Sequence, residues 1–230
     1  MALHEQDLSR ANVWQRLKVA DHEPDKDKRQ PFSMEQATEV LGHLPSVNTD
    51  LRRIGFITAL TGARLAEICG LDAADVSLGK VSSINIRPNP HRILKTKASN
   101  RIVPLIGHAL DAVKAACEDH HSSGPIFPRY ARPGGPDAAS AALIKMLRTK
   151  VKIEDDKLVW HSWRHTMKDL LRNARIDKEE QDGILGHAGK GVSFNYGKGP
   201  DIGLLRDLMA TALAPLMPSD NGPIARKLPG

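Results

Sequence analysis

The feature that most limits what this chain can fold into is a change of apolar period between Val76 and Pro104. Before it, Met34, Ala37, Val40, Leu41 and Leu44 recur at helical spacing, as do Leu51, Ile54, Ile57 and Leu60, and then Leu65, Ile68 and Cys69. Within it, Val81, Ser83, Ile84 and Ile86 read as a strand and Pro88-Asn89-Pro90-His91 as a turn. Ile93-Leu94-Lys95 and Arg101-Ile102-Val103-Pro104 read as two further short strands joined by a polar hairpin tip. After it the helical period returns over 108–119, Asp137 to Lys150, Trp160 to Ala174, Asp177 to Leu185 and Leu204 to Leu216. That order gives a fold class of mostly α with a small antiparallel β-sheet (α+β), the sheet having about three strands.

Local signals set the ends of these elements. Ser33 is an N-cap, with Glu35 and Gln36 in the first turn behind it. Gly70 is expected just past a helix end, in the C′ position, and Asp137 is expected to cap the helix that follows it. Residues 120–137 are loop-like, with a short strand expected at Ile126-Phe127. Asp21 to Gln30 is charged, carries a proline and lacks apolar periodicity, as a solvated linker does. The reading is therefore a leader at 1–30, one globular domain at 31–216 and a flexible tail at 217–230.

Composition narrows the chemistry. Hydrophobic residues make up 40% and aromatics 4%, so the core is aliphatic. Lys and Arg number 33 against 27 Asp and Glu, and the resulting +6 favours a polyanionic partner, nucleic acid first. Cys69 and Cys117 form no CxxC pair and read as free thiols in a reducing compartment. His161 and His165 form an HxxxH pair without the glutamate of HExxH, so no metal site and no cofactor are expected. No apolar run approaches the ~20 residues of a membrane span, and the first residues lack a signal-peptide core. The location read from this is cytoplasmic, with the protein associated with the nucleoid.

The stretch from His161 to Tyr196 carries the reactive groups. A tyrosine hydroxyl is a weak nucleophile until cationic groups surround it or its proton is removed. Once it has attacked a phosphodiester it stores the bond energy as a phosphate ester. Tyr196 lies among glycines, which suits a mobile presentation. The charge that gathers on phosphate oxygens suits the planar fork of arginine, and Arg64 and Arg164 are the candidates. Glu67 stands one helical turn after Arg64 and can orient it. His161 and Arg164 share a helix face, so His161 can donate to the phosphate or shuttle the tyrosine proton. His187, after Leu185-Gly186, is a second donor. Lys95 or Lys97 at the hairpin tip can protonate the leaving 5′-oxygen, and Lys95 is preferred because it enters the tip. Lys97 and Arg101 are read as DNA contacts. Trp160 and Trp163 are read as packing groups. Taken singly, each of these residues is better explained as an ordinary surface or core side chain.

Together they resemble the catalytic domain of the tyrosine recombinases, the phage integrase family. The resemblance rests on Thr-Gly-x-Arg ending at Arg64, the hairpin lysine, His-x-x-Arg at His161 and Arg164, Leu-Gly-His at His187 and Tyr196 nine residues later. It extends over about 31–216 and includes Pro31-Phe32-Ser33 and Arg101-Ile102-Val103-Pro104-Leu105. Ser162 and Trp163 depart from the family's usual His-Asp/Glu-Leu-Arg-His.

The resemblance implies metal-independent cleavage and rejoining of double-stranded DNA through a 3′-phosphotyrosine. It also implies self-association, as a tetramer on DNA in the full-length protein. Set against the family, the N-terminal DNA-binding domain is missing: residues 1–30 are read as its last helix and linker, and the chain as a catalytic-domain fragment or a degenerate remnant. In this family the C-terminal segment often docks on a neighbouring protomer; here the amphipathic Leu204–Leu216 helix can equally pack on its own core. Two other readings stand beside recombination: a DNA-binding module incompetent in catalysis on its own, and a type IB topoisomerase-like relaxing enzyme. A metal hydrolase built on His161 and His165 is a third.

Overall fold

The computed structural model describes residues 29–94, 96, 99–119, 123–187 and 201–217. The leader before Arg29, the hairpin lysines Lys95 and Lys97, the candidate nucleophile Tyr196 and the tail after Met217 lie outside the described residues.

Helix α1 (Met34–His43) starts where the sequence places it. Ser33 accepts from the Gln36 N–H, and the Gln36 side chain accepts from the Ser33 N–H, a reciprocal cap that satisfies two otherwise orphaned donors. A 3₁₀ turn (Leu44–Ser46) leads to α2 (Thr49–Thr61), capped by Asn48. From Ile54 to Thr61 every residue of α2 is buried, so this helix runs through the interior. It packs chiefly on α4 (His108–Asp119) and also on α6 (Ser162–Asn173).

The short α3 (Leu65–Cys69) follows, and its last turn is held against the segment leading out of the sheet. Gly70 ends α3, but not in the left-handed conformation expected of a C′ glycine: its φ is −93°. The glycine is required by close approach instead, because a Cβ there would lie 2.7 Å from the His91 carbonyl oxygen.

The sheet has three antiparallel strands in the order β1-β2-β3: β1 (Val76–Ser77), β2 (Ser83–Ile86) and β3 (Arg101–Pro104). Ile84 faces Val76 on one side and Val103 on the other, and Ile86 pairs with Arg101. The sheet count matches expectation, but one strand differs. Val76–Ser77 pairs, whereas Ile93-Leu94 does not. Arg92 explains this. Its guanidinium turns inward to Asp75 Oδ2 at 2.8 Å and to the Glu67 and Arg87 carbonyls. The chain therefore leaves the sheet there and turns Ile93 out to solvent, 95% exposed.

Two further boundaries shift. Helix α5 (Gly135–Met146) begins ahead of Asp137, which lies in its first turn. Gly134, at φ 74°, is the cap. Leu147–Val151 continues the helix as a π turn, and Lys152 ends it at φ 63°. Ile126 and Phe127 are fully buried and tie back to Leu71, with a bridge at Asp72 and Pro125, but form no extended strand.

The remaining helices are α7 (Lys178–Leu185) and α8 (Ile202–Leu213), the latter extended by a 3₁₀ turn over Ala214–Leu216. Helix α8 lays Leu205, Met209, Ala212 and Leu213 onto β3 and α6 of its own chain, while Leu204 stays exposed. Among the described residues no helix is long and apolar enough to cross a membrane.

Candidate active site

Three interruptions of helical structure converge to build the site: the end of α2, the start of α6 and the end of α7. At the first, Gly62 closes α2 with φ 65°, a left-handed cap that a side chain would strain. There is also no room for one, since a Cβ would sit 2.8–2.9 Å from Met167 and Leu185 atoms. The turn delivers Arg64 as the N-cap of α3. Glu67, at the third position of that helix, accepts from the Arg64 backbone N–H and from its guanidinium, both at 2.8 Å. Arg64 also donates to Ser99 Oγ at 3.1 Å.

At the second interruption, His161 caps α6 and Arg164 is its third residue. The turn is locked from behind. Trp160 donates from Nε1 to Thr58 Oγ1 at 2.9 Å. Trp163 packs on Phe32 with ring centroids 5.2 Å apart, and the Phe32 N–H bonds Thr166 Oγ1. Arg164 is buried, and its Nη1 donates to the Gly62 carbonyl at 2.9 Å while Nη2 donates to the Leu185 carbonyl. The arginine of one motif is thus fixed by the backbone of the other two.

At the third, Gly186 ends α7 with φ 65° and turns the chain so that His187 follows. The His187 N–H bonds the Asp182 carbonyl, and its Nδ1 lies 3.6 Å from Asp182 Oδ1. Arg101, on β3, reaches across to this helix end and donates from Nε to the Ile184 carbonyl at 2.8 Å.

The electrostatics reflect crowding of positive groups away from water. Burial, then the charges of Arg164 and others, drive the His161 imidazole down to about 4. Burial and then Arg164 bring His187 to about 4 as well, against a smaller upward pull from Asp182. Both rings are therefore neutral near pH 7. Burial and the Arg64 charge lower even Arg164, to about 9. For Glu67, burial raises the carboxyl, but hydrogen bonds and charge from Arg101, with help from Arg64, more than reverse it and leave about 2. Such a site is short of negative charge and suited to an anion. Beside it a cleft of about 180 Å³ is lined by Arg29, Ala63, Leu65, Trp160, His161 and Arg164, among others.

Arg64, Glu67, His161, Arg164 and His187 thus belong to one constellation. Arg101 joins it differently from its sequence reading. Its side chain is only 5% exposed and points at Glu67 and the protein backbone, so it is not a surface DNA contact. Lys95, Lys97 and Tyr196 fall outside the described residues. Two participants were missed. Asp182 pairs with Lys178 at i,i+4 and reaches His187, and the helical spacing was its only signal. Ser99 gave no signal beyond its place in the hairpin. His161 and His165 stack edge-on, 5.8 Å between centroids. Among the described residues no group of three or more His, Cys, Asp and Glu is arranged to hold a metal ion.

Comparison with known proteins bears on the fold and the family. The fold is similar to that of the XerA recombinase, with a TM-score of 0.56 and 22% identity over 89% of this chain and 64% of that one. It is also similar to the Tn1549 transposon integrase in complex with transposon right end DNA, at a TM-score of 0.55 and 18% identity over 85% of this chain and 69% of that one. This chain therefore spans somewhat under two thirds of the XerA chain. No curated protein matches it. The model of the phage integrase family matches residues 32–197, a span that takes in every motif from Phe32 to Tyr196, and the chain belongs to that family.

Proposed function

We propose that this protein is a site-specific DNA recombinase, a tyrosine recombinase that cuts and rejoins double-stranded DNA through a 3′-phosphotyrosine. One observation carries the reading: Arg64, Arg164, His161 and His187 come from three separate chain breaks yet gather at one site, where burial first and mutual repulsion second lower the proton affinity of Arg164 and both histidines. A phosphate relieves that repulsion.

In this reading the four side chains hold the scissile phosphate. The Tyr196 oxygen attacks phosphorus, and its proton passes to a neutral imidazole, His161 or His187. The bond from phosphorus to the 5′-oxygen breaks, and that oxygen takes a proton from Lys95 or, if the hairpin register differs, Lys97. The 5′-hydroxyl of a partner strand then gives its proton to the lysine amine and attacks the phosphotyrosine, the ester to Tyr196 breaks, and the tyrosine oxygen recovers its proton from the imidazolium. The ester conserves the bond energy, so the cycle needs neither a nucleotide nor a metal.

The partner is duplex DNA, in the cytoplasm of a bacterial cell and on the DNA of a phage or other mobile element. The protein assembles as a tetramer on its target.

The test is a pool of random duplexes nicked so that the cut strand cannot religate, mixed with protein in EDTA and resolved on denaturing gels. The expected result is a covalent adduct with wild type and none with Tyr196→Phe. Salt-sensitive binding without any adduct would identify a DNA-binding module instead. Relaxation of supercoiled DNA without strand exchange would identify a type IB topoisomerase-like enzyme.

A further inference from the structure

Arg101 makes more contacts within the site than any reading of it as a surface cation allows. Its Nη2 donates to Glu67 Oε2 at 2.9 Å and its Nη1 to Glu67 Oε1 at 3.3 Å. The same Nη1 donates to the Ser99 carbonyl at 2.8 Å, and Nε donates to the Ile184 carbonyl at 2.8 Å. One guanidinium therefore touches the carboxylate that holds Arg64, the backbone at the base of the hairpin tip, and the end of the helix that leads into His187. The fit is close: a Cβ on Gly186 would lie 2.7 Å from Arg101 Nη1.

Glu67 is the centre of this arrangement. Its two oxygens accept four donors, two from Arg64 and two from Arg101. Arg64 is partly open to the site, whereas Arg101 is shut inside. A carboxylate facing Arg64 alone would carry the penalty of burial with half its donors.

We infer that Arg101 is a positioning residue for the recombination site, which acts by keeping Glu67 ionised and by joining the hairpin and the end of α7 to the Arg64 turn. The inference rests on the functional reading above for the role of Arg64. It needs no contact between Arg101 and DNA. Arginine is specified over lysine because a single ammonium cannot reach the Glu67 carboxylate, the Ser99 carbonyl and the Ile184 carbonyl from one side chain in this fork geometry.

The test follows the Glu67 carboxyl carbon by NMR in DNA-free protein as pH is lowered, for wild type, Arg101→Met and Arg101→Lys. In wild type Glu67 stays ionised until about pH 2. In Arg101→Met its titration moves up by more than one pH unit, and the pH below which covalent adduct is lost moves up with it. In Arg101→Lys, which retains the charge and guards against failure of the Met variant to fold, Glu67 stays low. Adduct formation in that variant nevertheless slows at least tenfold, because the two carbonyls lose their donor. An unmoved Glu67 in Arg101→Met, or a fully active Arg101→Lys, overturns the inference. If wild type forms no adduct on any DNA, the functional reading fails, and the Glu67 titration alone still decides what Arg101 does.

Discussion

Glu67 and Arg64 are joined twice, backbone and side chain, each contact 2.8 Å long. The first contact caps α3 and the second aims the guanidinium, so the fold of the turn and the aim of the arginine cannot be separated. Replacing Glu67 by Ala leaves Arg101 buried without its carboxylate. The expected destabilisation is about 3–5 kcal/mol, the usual consequence of orphaning a buried charge, read from denaturant unfolding. A loss below about 1 kcal/mol, typical of a surface pair, would show that Glu67 does not bind Arg101 as described.

The histidines make a prediction about pH. His161 and His187 sit near 4 in the free protein and near 6.5 when unfolded, so between those values the unfolded chain binds more protons. Stability should therefore fall as pH drops from about 6.5 towards 4. A bound phosphate acts in the opposite direction and raises both rings. DNA affinity should then strengthen from pH 7.5 to 5.5, with net proton uptake on binding. Calorimetry in buffers of different ionisation enthalpy measures that uptake, and a zero value would count against phosphate contact by these rings.

Gly186 is expected to tolerate no side chain. Gly186→Ala forces a left-handed backbone and pushes a methyl group into a guanidinium held by Glu67 and two carbonyls. The combined effect is roughly 2–5 kcal/mol, visible as a lowered thermal midpoint. Adduct formation should fall by a larger factor than the folded fraction does, because His187 is the next residue.

Lys168 stands exposed on α6, one turn beyond His165, and its charge lowers the proton affinity of both His165 and His187. If the site holds a phosphate as proposed, Lys168 should contact a neighbouring one. Lys168→Ala should weaken binding about equally on all sequences and reduce the slope of log affinity against log salt by about 1. An unchanged slope would put Lys168 off the DNA.

Much of this was legible in the residues, and the exceptions share a cause. Gly62 and Gly186 announce chain breaks because helical spacing stops at each, and Ser33 and Gln36 announce a cap by their three-residue separation. The constellation of Arg64, His161, Arg164 and His187 was readable only from the order and spacing of the motifs together, which resemble the phage integrase family; no single residue announces it. Arg101 was misread because a strand arginine between polar and apolar neighbours looks exposed until its distant partner Glu67 is placed opposite. Strand β1 escaped because two residues carry no periodicity. Ile93 reads as strand from its neighbours alone because the inward pull on Arg92 comes from Asp75, 17 positions earlier. Local pattern finds the ends of elements; pairings distant in sequence decide which polar residues go inside.

The way Arg164 is fastened bears on how fast such a site can work. Its guanidinium is anchored to carbonyls from the ends of α2 and α7 before any substrate arrives. A long, flexible side chain would otherwise lose its rotational freedom at the moment of capture. Here that freedom is surrendered once, as the chain folds. Encounter with DNA then begins from a rigid receptor, and substitutions that loosen the end of α7 should slow the chemical step before they measurably weaken the grip on the duplex.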